Sequence, residues 1–186
     1  MFRKFLLVAL AALSLSSASS GAVAEGRDVA SVPSESLLRE ISAWLTANFD
    51  LPSTAIAPAI RFVTAEQLAA MRGSGPESSA KTREQPHLVV ETMHGRSTVA
   101  LYDDANETIF LPIGWTGTSP ADQSVLVHEM VHHLQRKAQL RFECPMAREK
   151  LAYTAQDRWL ARFGSNLEKE FEIDRFTLFV STACFY

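Results

Sequence analysis

The sequence predicts an α+β fold in one domain, with a small, mostly antiparallel sheet, one helix that carries the chemistry, and further helices around it. Three observations lead there. Apolar residues recur at helical spacing at both ends of the chain. Between them lie short β-favouring runs separated by turn residues. The composition, 47% hydrophobic and 21% charged over 186 residues, is that of a chain able to bury a core.

The first residues are set apart from that fold. Arg3 and Lys4 precede an apolar run from Phe5 to Leu15, and Ala22-Val23-Ala24 offers small residues where a signal peptidase reads them. This is the pattern of a secretory signal peptide over residues 1–24, leaving 25–186 as the mature domain of an exported protein, periplasmic or secreted. The run is too short to span a bilayer, and no later stretch approaches the ~20 apolar residues a spanning helix needs, so no stable membrane span is expected after cleavage. Losing Arg3 and Lys4 moves the net charge from -3 to -5. Without a basic excess to neutralise phosphates, nucleic acid is excluded as the expected partner.

After a polar leader, Leu37, Leu38, Ile41, Trp44, Leu45 and Phe49 mark a first helix over 34–48. Residues 59–63 read as a short strand, and Thr64 with Gln67 forms a capping box for a small helix. Residues 73–86 are Gly-, Ser- and Pro-rich and read as a surface loop. Three β-favouring runs follow at 88–92, 97–102 and 107–111, the last two joined by Asp103-Asp104-Ala105-Asn106 as a hairpin. Pro112 cannot donate to a ladder, which puts the 108–111 strand at a sheet edge or stops it there.

Ser119 as N-cap, Pro120 in the first turn, and Arg136-Lys137 at the far end delimit a helix over 120–138. Another is expected over 146–163, ended by Gly164, with Ser165 and Glu168 forming a capping box for one last helix carrying Leu167, Phe171, Leu178 and Phe179. Cys144 and Cys184 lie 40 residues apart. In an oxidising compartment they are expected to pair, a bridge worth roughly 4 kcal/mol in the chain-entropy account.

The 120–138 helix contains His128-Glu129-Met130-Val131-His132. Two histidines four apart lie about 40° apart around a helix and one turn along it, so both imidazoles reach one ion from a single face. Zinc accepts neutral imidazole nitrogens, and Glu129, beside the first histidine, is placed to take a proton from an attacking water. Leu126, Val127, Met130, Val131 and Leu134 form an apolar arc on the other side.

A third ligand is needed, and no histidine follows His133; the position six beyond His132 is Ala138. The third ligand is therefore expected to be a carboxylate. On the next helix Met146, Glu149, Ala152, Tyr153, Gln156, Trp159, Leu160 and Phe163 share one face, which puts Glu149 in a core stripe where a carboxylate needs a strong partner. Glu143, in the connection, and Asp157, off the stripe, are lesser candidates. His133 reads as a residue of another side, near the site or in solvent, and His87 and His94 as exposed.

Residues 88–163 resemble the gluzincin zinc metallopeptidases, minimal thermolysin-like domains in which His-Glu-x-x-His on one helix is completed by a glutamate on the next. They are also similar to exported bacterial proteins sharing this helix pair and a late cysteine. The resemblance implies a zincin-like fold, one zinc ion held by His128, His132 and Glu149, Glu129 as general base, and the 108–111 edge strand aligning an extended peptide or protein substrate. It departs in two places: Arg148 stands where an Asn often precedes the third ligand, and the later oxyanion-binding histidine is missing. Tyr153, one turn beyond Glu149, is placed to donate in its stead or to serve as a core aromatic. The function so implied is hydrolysis of peptide bonds by zinc-activated water. The alternatives are a non-catalytic zinc module, structural or interacting, and a cell-wall amidase.

Overall fold

The computed structural model describes residues 33–73 and 100–185. The expected signal peptide, leader and 88–92 strand, most of the 73–86 loop, and His87 and His94 lie outside them. The fold is α+β, with helices α1 (Glu35–Asn48), α2 (Ala65–Gly73), α3 (Pro120–Lys137), α4 (Pro145–Ala161), α5 (Leu167–Phe171) and α6 (Arg175–Thr182), and strands β1 (Ala59–Val63), β2 (Leu101–Asp103) and β3 (Thr108–Pro112).

Local chemistry sets most of these boundaries. Ser34 Oγ accepts from the Leu37 N–H at the start of α1. Thr64 and Gln67 exchange both bonds of the capping box at 2.8 and 3.3 Å. In the β2–β3 turn, Asp103 Oδ1 accepts from the N–H groups of Ala105 and Asn106. Ser119 Oγ accepts from the Asp122 N–H at 3.0 Å to cap α3.

The strand order is β1-β3-β2, with β1 parallel and β2 antiparallel to β3, so the sheet is mixed. The 108–111 strand is therefore central among the described residues, not an edge. Pro112 stops it rather than exposing it: Pro112 is its last residue, and the ladder passes on through the Ile113 N–H to the Val63 carbonyl at 2.9 Å. Ile109 and Leu111 are fully buried, in one core with Ile41 and Leu45 of α1 and Leu126, Val127, Met130, Val131 and Leu134 of α3.

A short loop docks the start of α3 onto this core. Asp122 Oδ2 accepts from Thr116 N–H, Thr116 O–H and Gly117 N–H, and the Trp115 indole donates to the Asp122 carbonyl at 2.9 Å. Gly117, at φ +71°, lies against the Trp115 ring, where a Cβ would come within 2.5 Å of the ring edge.

α3 packs most extensively on α4, and α4 in turn carries α6. Cys144, the N-cap residue of α4, is bonded to Cys184 just past α6, with Cα atoms 5.9 Å apart. The last helix is in fact two. Asn166, not Ser165, caps α5 by accepting from the Lys169 N–H; Glu172 at φ 58° ends it; and Asp174 caps α6. The stripe on α4 is buried at its centre, at Ala152, Gln156, Trp159 and Leu160, while Met146 and Phe163 at its ends are exposed. Among the described residues no helix is long and apolar enough to cross a membrane; that and the disulfide are compatible with an exported protein.

Candidate metal centre

α3 is anchored at both ends and faced by α4, so the inward edge of α3 and the stripe of α4 meet along their length. His128 and His132, one turn apart, bring their ring centroids to 5.0 Å. Glu149 enters from the first half of α4. Its Oε2 lies 3.1 Å from His128 Nε2 and 3.3 Å from His132 Nε2. One ligand atom from each of the three side chains falls within 4.8 Å of the others, close enough to bind a metal ion. The side chains of His128 and His132 are 12% and 7% exposed and that of Glu149 29%, so the group opens to solvent on the Glu149 side.

The donor set fits a divalent metal. His128 Nδ1 lies 3.0 Å from Gln156 Oε1, and His132 Nδ1 lies 3.1 Å from Gln135 Oε1. An amide oxygen only accepts, so His128 Nδ1 carries the proton and its Nε2 is the nitrogen left to face Glu149, while His132 Nδ1 stands between the Gln135 oxygen and the Arg148 Nε–H at 3.3 Å. Two imidazole nitrogens and a carboxylate oxygen converging on one point match the nitrogen and oxygen preferences of zinc. Burial acts to raise the Glu149 carboxyl, but the hydrogen bonds and charge that His128 and His132 supply when Nε2 is protonated as well outweigh it and hold the group well below the usual carboxylate range.

Glu129 is 6% exposed. With His128, Tyr153, Gln156, Val125, Ala100, Phe171 and Ile173 it lines a cavity of about 100 Å³. The Tyr153 ring packs edge-on against that of His128, centroids 4.7 Å apart. Ala100 leads into β2, so the strand that reaches the cavity is β2, not the central β3 on which an extended substrate was expected to align. The other carboxylates lie elsewhere: Glu143 is exposed, and Asp157 Oδ1 accepts from the Leu167 N–H at 3.0 Å, capping α5.

Three neighbours are absent from the motif reading. Gln135 and Gln156 hold the two imidazoles; Gln135 stands three residues after His132, an i,i+3 spacing that would have found it. Arg148, where the Asn was missing, bonds Asp104 of the β2–β3 turn through both terminal nitrogens at 2.6 and 3.2 Å and donates from Nε to His132 Nδ1 at 3.3 Å. It ties the turn to the metal-binding edge of α3 and supplies no ligand. His133 is neither solvent-facing nor at the site: fully buried, it donates from Nε2 to the Ile56 carbonyl at 3.0 Å and accepts at Nδ1 from the Tyr102 hydroxyl at 3.1 Å. Burial lowers its imidazole and pushes the Tyr102 phenol up to about 12.

No curated protein and no solved structure matches the chain. A family model described as a domain of unknown function, DUF6647, matches residues 30–185, and the chain belongs to that family.

Proposed function

We propose that this protein is an exported zinc-dependent hydrolase of peptide or other amide bonds, with His128, His132 and Glu149 as ligands and Glu129 as general base. The observation that carries the reading is that Glu129, next in sequence to one ligand, lines the same cavity as His128 and Tyr153. A site that only completes a core needs no carboxylate turned into such a cavity.

Zinc, when bound, supplies Lewis acidity toward water and the scissile carbonyl. Glu129 takes the proton of the attacking water as its oxygen bonds to the carbonyl carbon, then delivers a proton to the nitrogen as the C–N bond breaks. The Tyr153 hydroxyl, carried one turn after Glu149, donates to the oxygen on which charge develops. The cavity, about 100 Å³, is small beside the several hundred usual for a ligand pocket, enough for the reacting group alone. The rest of a substrate therefore lies across its mouth. The disulfide and the leader pattern support export, and the helix pair supports the likeness to gluzincins.

The test is amide hydrolysis by the mature protein on a peptide library, with and without a chelator, beside Glu129→Gln. The amide keeps the shape and cannot take the proton. Zinc content is expected to stay near wild type while turnover falls at least about a hundredfold. An activity that survives in Glu129→Gln would overturn the mechanism.

A further inference from the structure

The partners of the two histidines are themselves fixed, and this distinguishes them from chance neighbours. Gln156 is 5% exposed and Gln135 2%. Ser124 donates its hydroxyl to the Ala121 carbonyl at 2.8 Å, which leaves its oxygen to accept from Gln156 Nε2 at 3.4 Å. With the NH2 end so engaged, the oxygen of Gln156 is the end presented to His128. Gln135 also turns its oxygen to a histidine, since its Nε2 donates to the Arg148 carbonyl at 3.0 Å, but the His132 Nδ1 it faces takes the Arg148 Nε–H as well, so Gln135 does not set that ring's tautomer. Turned over, the Gln156 amide would set its oxygen against the Ser124 oxygen, whose proton goes to Ala121, and lose that bond.

We infer that Gln156 is a positioning residue of the metal centre: it holds His128 as its Nδ1–H tautomer and aims its Nε2 lone pair at the point shared with Glu149. The inference rests on the metal-binding reading of His128, His132 and Glu149. It adds that the outer partner of His128, on α3, is a neutral amide supplied by the other helix, α4. Packing α4 onto α3 therefore delivers both a ligand, Glu149, and the group that orients another ligand, His128. A neutral amide accepts the Nδ1 proton without adding negative charge behind the imidazole, so the bound metal keeps more of its own charge than it would with carboxylate partners.

Zinc affinity is measured on the mature protein by competition with a chromophoric chelator, for wild type, Gln156→Met and Gln156→Glu. The Met variant keeps the side-chain length and removes the acceptor; it is expected to bind zinc about 10- to 100-fold more weakly. Gln156→Glu restores an acceptor and is expected to recover wild-type affinity or exceed it. Gln156→Met within about threefold of wild type, or Gln156→Glu as weak as Gln156→Met, would overturn the inference. Ring 15N–1H NMR of the metal-free wild type reads it independently: His128 should carry a proton on Nδ1, and an unprotonated Nδ1 there would overturn it. If wild type binds no zinc, the zinc reading falls, and the NMR result alone decides whether the amide orients the ring.

Discussion

Glu149 supports the metal assignment because its Oε2 lies 3.1 and 3.3 Å from His128 Nε2 and His132 Nε2, a spacing of three electron-rich atoms that needs a metal ion or a proton among them. The His128 Nδ1 proton points away from it, toward the Gln156 oxygen. Glu149→Ala is expected to lower zinc affinity by more than about a hundredfold, beyond the range of an outer partner's loss. Glu143→Ala should bind zinc as wild type does. Asp157→Ala should also keep its zinc and lose about 1 kcal/mol of stability, the worth of the cap it gives α5. Equilibrium dialysis and urea denaturation read the two effects separately. Zinc binding abolished in Asp157→Ala and retained in Glu149→Ala would reassign the third ligand.

α3 is held in place by contacts that contain no metal ligand. Its C-terminal half is tied through His133 to β2 and to the Ile56 segment. Since Nε2 donates to Ile56, Nδ1 can only accept, and Tyr102→Phe leaves a fully buried nitrogen without its donor. The expected loss is about 1–3 kcal/mol in chemical denaturation, with zinc stoichiometry unchanged. An unaltered denaturation midpoint would mean that the bond does not contribute. At the other end, Gly117→Ala combines a strained φ with a clash against the buried Trp115 ring, and it should destabilise by more than the ~1 kcal/mol usual for a Gly replacement. α4 has a different restraint, the bond from Cys144 to Cys184. Cys184→Ser, with Cys144→Ser to avoid a free thiol, should cost roughly 4 kcal/mol and weaken zinc binding less than loss of a ligand does.

For the molecule as a whole, the three residues close enough to bind a metal ion come from two helices that are neighbours in the chain but carry different parts of the core. Zinc held by the folded state alone stabilises it by mass action, about 2.7 kcal/mol at a free concentration a hundred times Kd. Removing the metal from wild type should lower the melting temperature, and zinc should restore it. In Glu149→Ala the same zinc addition should restore much less. Equal recovery in the two proteins would show that the ion acts elsewhere than between α3 and α4.

What can be read from the amino acids is what depends on near neighbours. Ser34, Thr64 with Gln67, and Ser119 cap helices through bonds spanning three residues, and His128 and His132 share a face because of helical pitch alone. The helix pair, the disulfide partners and Glu149 as the third member of the group were legible for related reasons: periodicity, two thiols in an oxidising compartment, and a carboxylate in an apolar stripe. The contacts between distant residues were not. β1 lies parallel to β3 because two strands almost fifty residues apart bury their apolar faces together, which no local pattern encodes. His133 is a core tie because the turn of α3 that places His132 at the site directs the next side chain toward Tyr102 and Ile56. Glu172 splits the last helix at a left-handed residue, although it carries no Gly to announce the break. The orientation of His128 was likewise a tertiary outcome. Its amide partner stands 28 residues on, on another helix, and only the packing of α4 against α3 brings the two side chains to 3.0 Å.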